Sequence, residues 1–345
     1  MGNRASSTAP GAPPPLLTAA VTGDATAFAP LWATETNRRL QDRQQNNVLH
    51  ALFSARAGQP AEILRLIHED SDPSLLIDLY TAPNQLGCTP LWILIAYGNV
   101  ELLKIVLQRL KDAHLLQDKL PTLYTQPNHQ GDSPLLATCS QGNLDMVQYL
   151  ATVVPSSNDF GTLLTQANQK GTTPLQIAVA NGHVALLEYL LSHEPVRDQV
   201  WHTNAAGLSL FHICAERNFA EGLRLLLQQV VNDMNRVAAL KDRNGANPLH
   251  VACFCGNADI VQVWLEVSDA ADLLDQPDGQ GRTAYWLAMV QGRDEIGVLL
   301  AQAGAQTTAP AQMLMEIREA QERRAARQNS NAKAAIDGNA LLGSR

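Results

Sequence analysis

The stretch Asn168-Gln169-Lys170-Gly171-Thr172-Thr173-Pro174-Leu175-Gln176-Ile177-Ala178-Val179-Ala180-Asn181-Gly182-His183-Val184-Ala185-Leu186-Leu187-Glu188-Tyr189-Leu190-Leu191 reads as one turn followed by two helices. Asn168 and Gly171 suit a tight turn, because both residue types accept left-handed backbone angles. Thr173 can cap free helical N–H groups, and Pro174 fits a first helical turn. Leu175, Ile177 and Ala178 continue at helical spacing. Gly182 supplies the left-handed residue that ends the short helix. Val184, Leu186, Leu187, Leu190 and Leu191 then form the apolar stripe of a second helix.

The same punctuation recurs outward from this stretch. Gly87-Cys88-Thr89-Pro90-Leu91, Gly131-Asp132-Ser133-Pro134-Leu135 and Gly245-Ala246-Asn247-Pro248-Leu249-His250 are close copies. Gly207-Leu208-Ser209-Leu210-Phe211-His212 and Gly281-Arg282-Thr283-Ala284-Tyr285 are degraded ones. Three residues before each leading Gly stands Asn84, Asn128, Asn168, Asn204, Asp242 or Asp278. Seven residues after each Leu or aromatic anchor stands Gly98, Gly142, Gly182, Asn218, Gly256 or Gly292. Two further copies precede Gly87. Asp42 through Val48-Leu49-His50 lacks the Gly and the Pro, and Pro15-Leu16 with Gly23 opens the series.

A turn, a Thr-Pro-Leu-His-like helix start, a Gly and a Leu-rich second helix resemble the ankyrin repeat. The resemblance covers roughly residues 10 to 306. It implies an all-α ankyrin-repeat solenoid of about eight helix–turn–helix repeats. The anchors lie 33, 42, 44, 40, 36, 38 and 36 residues apart, against a family period of about 33. The surplus falls between the second helix and the next turn, as in Leu110 to Asn128, with apolar pairs such as Leu79-Tyr80 and Leu163-Leu164 just before each turn. These inserts are expected to be lengthened connections, some with an extra helical turn.

The expected organisation is a flexible arm at 1–12, the array at 13–306, a charged helix at 310–328 and a disordered tail at 329–345. Met313, Leu314 and Ile317 are expected to cap the last repeat. Hydrophobic residues make up 46% of the 345, which is ample for a core. A formal charge of -8 argues against a nucleic-acid binder. No apolar run is long enough to span a bilayer, and no secretory signal is visible. Five cysteines, an odd number in a long chain, argue against a disulfide framework and for a reducing compartment.

A stack of repeats buries its core between neighbours and offers a concave face of turn tips and first-helix surfaces. Such a face suits a protein partner better than a small-molecule substrate. The expected contact residues are the two turn residues before each leading Gly, the one after it, and those just before the second Gly. They are Gln85, Leu86, Tyr97, His129, Gln130, Asp132, Gln141, Gln169, Lys170 and Asn181. Further along they are Leu208, Glu216, Arg217, Arg243, Asn244, Phe254, Gln280, Arg282 and Gln291. Leu86, Tyr97, Leu208 and Phe254 are the expected exposed anchors.

No catalytic, metal or cofactor constellation is expected. His50, His212 and His250 all occupy the His slot of the repeat, where the resemblance implies a structural hydrogen bond. Trp92 replaces that His in its own repeat. Cys139 and Cys253 share a small-residue slot and read as core. Too few residues follow the last repeat for a catalytic domain, and a monomer in the cytoplasm is expected.

Met1-Gly2-Asn3-Arg4-Ala5-Ser6 matches the N-myristoylation pattern at Gly2. A single acyl chain gives only marginal membrane binding, so contact with a membrane depends on that modification. The expanded repeats, the amide-rich turns and the charged C-terminal helix resemble ankyrin effectors of intracellular bacteria. That resemblance implies work in a host cytosol. The alternative is a myristoylated adaptor of eukaryotic type.

Overall fold

The computed structural model describes residues 13–55, 58–115, 120–154, 157–266, 271–306, 315, 317–324, 326 and 327. The described residues contain helices and turns and no strand. Two compact units divide the chain, one of Met1–Ala178 with Ala185–Gln199, the other of Val179–Val184 with Val200–Arg345.

In the first unit, α1 (Pro15–Thr22) pairs with α2 (Ala25–Trp32), and α3 (Val48–Phe53) with α4 (Pro60–Glu69). A third helix, α5 (Pro73–Thr81), follows. The pattern continues with α6 (Pro90–Tyr97), α7 (Val100–Asp112) and α8 (Leu120–Thr125), then α9 (Pro134–Gln141), α10 (Leu144–Val153) and α11 (Ser157–Thr165). The unit boundary falls within the fifth repeat, α12 (Pro174–Ala180), α13 (Val184–Leu191) and α14 (Glu194–Arg197). The second unit continues with α15 (Leu210–Arg217), α16 (Ala220–Gln229) and α17 (Met234–Ala238). It then holds α18 (Pro248–Cys255), α19 (Ala258–Leu265), α20 (Ala271–Leu274), α21 (Ala284–Gln291) and α22 (Asp294–Gln302).

Within each unit, first helices pack on first helices and second on second, as in α3 on α6 on α9 and α16 on α19 on α22. The helix starts follow from the sequence. Thr89, Ser133, Ser209, Asn247 and Thr283 each accept a hydrogen bond from the backbone three residues on. The Leu-rich stripes are buried; Leu103, Val106, Leu187, Leu190, Leu223 and Leu226 are fully excluded from solvent.

The inserts prove more regular than lengthened connections. Each insert from the second repeat to the seventh carries a helix of its own, α5, α8, α11, α14, α17 and α20. Their apolar residues enter the core: Leu76, Leu79 and Tyr80 from α5, Leu163 and Leu164 from α11, Val237 from α17 and Leu273 from α20 are buried. Two of them are tied to the first helix of the same repeat. The N-cap side chain of α3, Asn47, donates to the Leu79 carbonyl of α5 at 2.8 Å, and Asn247 of α18 donates to Leu273 at 3.4 Å. These two third helices therefore stand over the N-terminal ends of their first helices.

Residues 315, 317–324, 326 and 327 are helical, within the span expected to form the charged helix. Ile317 is buried, and the Arg324 guanidinium donates to the carbonyls of Met289, at 2.8 Å, and Val290. A cation at the last carbonyls of α21 complements the helix dipole. Gly2, the 1–12 arm, Met313, Leu314 and the 329–345 tail lie outside the described residues.

Candidate functional site

Each turn is built by one side chain. The Oδ1 of Asp42, Asn84, Asn128, Asn168, Asn204, Asp242 or Asp278 accepts the backbone N–H groups two and four residues on, at 2.8 to 3.1 Å. Acceptance by the first atom of the turn is what makes Asn or Asp obligatory there. The Asp42 turn, which lacks its Gly, folds the same way with Gln45 in the glycine position at φ 61°.

Successive tips are joined by backbone hydrogen bonds. The Gln85 N–H donates to Gln44 at 2.9 Å, His129 to Leu86 at 2.9 Å and Gln169 to Gln130 at 3.2 Å. In the second unit the Gly279 N–H donates to Asn244 at 2.9 Å. Beneath the tips a second set of bonds links repeats. His50 Nε2 lies 2.9 Å from the Cys88 carbonyl, His212 Nε2 3.0 Å from Ala246 and His250 Nε2 3.0 Å from Arg282. Trp92 keeps this bond with a different ring, its Nε1–H donating to Asp132 at 3.0 Å. Burial lowers the pKa of all three histidines, outweighing the carbonyl bond that raises it. Cys139 and Cys253 are fully buried, and burial pushes the Cys139 thiol up to about 12.

The expected contact residues divide by slot. Gln85, Leu86, His129, Gln130, Gln169, Lys170, Arg243, Asn244 and Gln280 are exposed at the tips. Tyr97, Gln141, Asn181, Glu216, Arg217, Phe254 and Gln291 are exposed at the C-terminal ends of first helices. Among the expected anchors, Leu86, Tyr97 and Phe254 are exposed, at 61, 50 and 55%.

Asp132, Leu208 and Arg282 differ from expectation, being half-buried. All three follow the leading Gly. That residue closes the turn, and the carbonyls of Asp132 and Arg282 meet the Trp92 and His250 rings of the preceding repeat. Asp132 also accepts from the Asn168 side chain at 2.8 Å. Arg282 pairs at 2.6 Å with the fully buried Asp278 side chain and lies over the Trp286 ring. Burial raises the Asp278 pKa, but Arg282 and the turn N–H groups outweigh it and hold it below the usual carboxylate range. Leu208 is therefore not an exposed anchor.

Among the exposed residues outside the expected set, two fall in the repeat's contact slots without having been named there. Val21, 45% exposed near the end of α1, matches the slot of Phe254, two before the second Gly. Gln44 holds the tip position of the Asp42 turn. Asp42 stands seven residues before Leu49, as every other marker does before its anchor, so that spacing alone could have located Gln44.

In the seventh repeat α20 is held at the N-terminal end of α18, whereas Phe254 is at its C-terminal end. An eight-residue helix spans about 12 Å, which separates this anchor from its insert. Among the described residues there is no group of three or more His, Cys, Asp or Glu placed to hold a metal, and no helix long and apolar enough to cross a membrane.

A family profile described as ankyrin repeats (3 copies) matches residues 113–200, 160–238, 195–273 and 211–311, together more than half of the chain. The chain is 40% identical over 102 residues to the SMC5-SMC6 complex localization factor protein 1 of Homo sapiens, covering 30% of this chain and 9% of that protein. The Bos taurus counterpart is 39% identical over 102 residues, with the same coverage. The nuclear factor NF-kappa-B p105 subunit of Rattus norvegicus is 38% identical over 88 residues, 25% of this chain and 9% of that one. The chain thus matches less than a tenth of the length of these curated relatives.

Proposed function

This chain belongs to the ankyrin-repeat family, and from that premise we propose that it is a protein-binding module that grips partner proteins with its turn tips and first-helix ends. The observation that carries the reading is the exposure of Leu86, Tyr97 and Phe254 in a chain whose other aromatic and leucine side chains in these repeats are largely buried. Binding energy concentrates in a few such anchors. The relatives' names, a localization factor of a complex and a subunit of a factor, fit proteins that act by association. The role is one of binding rather than catalysis, and the partner is a protein rather than a nucleic acid, in keeping with a charge of -8.

The test is affinity capture from a eukaryotic lysate with the full chain, with Tyr97→Ala and with Phe254→Ala. Specific partners retained by the parent chain should be depleted by at least one variant, with the melting temperature unchanged. Equal retention by all three chains would move the interface elsewhere.

A narrower reading makes the protein a myristoylated module of the cytoplasm, either an exported bacterial effector engaging a host protein or an adaptor of eukaryotic type. It rests on Met1-Gly2-Asn3-Arg4-Ala5-Ser6 and, for the effector, on the expanded repeats and amide-rich tips. The mammalian relatives match the repeats and do not choose between the two. Labelling with a myristate analogue in eukaryotic cells should mark the parent chain and spare Gly2→Ala. No label on either removes the anchor.

A further inference from the structure

Every described tip of the first unit presents glutamine: Gln44 with Gln45 beside it, Gln85, Gln130 and Gln169. The second unit's tips carry Ala205-Ala206, Arg243-Asn244 and Gly279-Gln280, so glutamine recurs there only in the last. Four of these first-unit glutamines are brought together in pairs, because the Gln85 N–H bonds the Gln44 carbonyl and the Gln169 N–H bonds the Gln130 carbonyl. The Gln169 amide also donates to the His129 carbonyl at 3.0 Å, and Asn46 donates to the Gln44 amide oxygen at 3.3 Å. The Gln85 and Gln130 side chains are exposed and make no hydrogen bond within the described residues. Along this row Arg43 stands at one end and Lys170 at the other, and no exposed Asp, Glu, Lys or Arg stands between them in the tips.

A glutamine amide carries one acceptor and two donor hydrogens, the complement of a peptide group. Helices and sheets consume their own backbone groups, so only an extended segment has peptide groups to offer. Stacked helices lie about 8–10 Å apart, and an extended chain advances about 3.3 Å per residue. One tip therefore meets every third residue of a strand running along the row. Uncharged amides give no ion pair to repay the desolvation of a charged side chain laid against them.

Resting on the protein-binding reading above, we propose that the tip row of the first unit holds an extended, uncharged polypeptide segment of a partner through its backbone, with Leu86 as the apolar contact. Gln85 and Gln130 are the gripping residues and Gln44 and Gln169 flank them.

The experiment pans a displayed library of random peptides on the full-length protein, then measures a labelled selected peptide by fluorescence anisotropy. Selected sequences should be poor in charged residues. Affinity should change less than about twofold between low and high salt, because no ion pair is involved. Gln85→Ala with Gln130→Ala should weaken binding about tenfold or more, with an unchanged melting temperature. N-methylation of the peptide backbone at every third residue should weaken it similarly. Selection of charged peptides, a steep salt dependence, or indifference to the paired glutamine variant would overturn this proposal while leaving the protein-binding reading intact. A parent chain that retains no peptide in the panning and no protein from lysate would sink both.

Discussion

Gln45 and Asn218 hold left-handed backbone, at φ 61° and 54°, in positions where the other repeats place glycine. A side chain in that conformation costs about 1–2 kcal/mol, less for Asn. Gln45 is exposed, so Gln45→Gly should raise stability by about 0.5–1 kcal/mol once the extra freedom of the unfolded glycine is subtracted. Urea unfolding checks it, and a loss of stability would mean that the side chain contributes something the geometry does not reveal. Asn218 should gain less, since its side chain also donates to Asp259 at 3.2 Å. At Trp92 the argument runs through the partner. Trp92→Phe keeps the ring and removes the N–H that serves the Asp132 carbonyl, which should cost about 1 kcal/mol. A neutral Trp92→Phe in urea unfolding would show that this bond adds nothing. The turn markers, anchors and ring slot were legible from single residues, because each is required by its own backbone. The half-burial of Asp132 and Arg282 was not, because each meets a ring of the preceding repeat.

Helices too short to stand alone need tertiary contacts, and α5, α8, α11, α14, α17 and α20 are of that kind. The apolar pairs before each turn were visible in the sequence, but one or two turns of helix show no period to read. Packing supplies what periodicity could not: α5 lies against both α3 and α6, so it bridges two repeats. If it belongs to the cooperative core, Leu76→Ala should cost about 2–4 kcal/mol, close to a substitution in a second-helix stripe. Leu187→Ala, at a fully buried position of α13, is the reference and should cost about 2–5 kcal/mol. Both are read from urea midpoints. A silent Leu76→Ala would demote the third helices to ornaments on an ordinary stack. The candidate surface depends on the same geometry, since Asn247 holds α20 at the end of α18 far from Phe254. That placement is a tertiary bond and could not be read from insert length.

Summed over the chain, the ring bonds make stability depend on pH. His50, His212 and His250 are each buried against a carbonyl of the next repeat, and burial lowers their pKa in the folded state. His68, half-buried with its ring nitrogen 2.9 Å from the Tyr80 hydroxyl, is lowered to about 4, by burial first and by Arg109 second. In the unfolded chain all four titrate near pH 6.5. Below that value the unfolded state binds more protons than the folded one, so stability falls as pH falls. It is fully present above about 6.5 and declines toward the lowered folded values. The formal charge of -8 shrinks over the same interval as the pI of about 5.6 is approached, which relieves self-repulsion and opposes the decline. The four sites sit in three different repeats and share no hydrogen-bond partner. The urea midpoint should therefore drop between pH 7.5 and pH 5.5, and a variant with His50, His212 and His250 all replaced by Gln should show a flatter profile from a lower starting stability. A parent midpoint that stays level or rises on acidification would mean that charge relief outweighs the buried rings. An equally steep triple variant would place the titration elsewhere, at His68 or among the carboxylates.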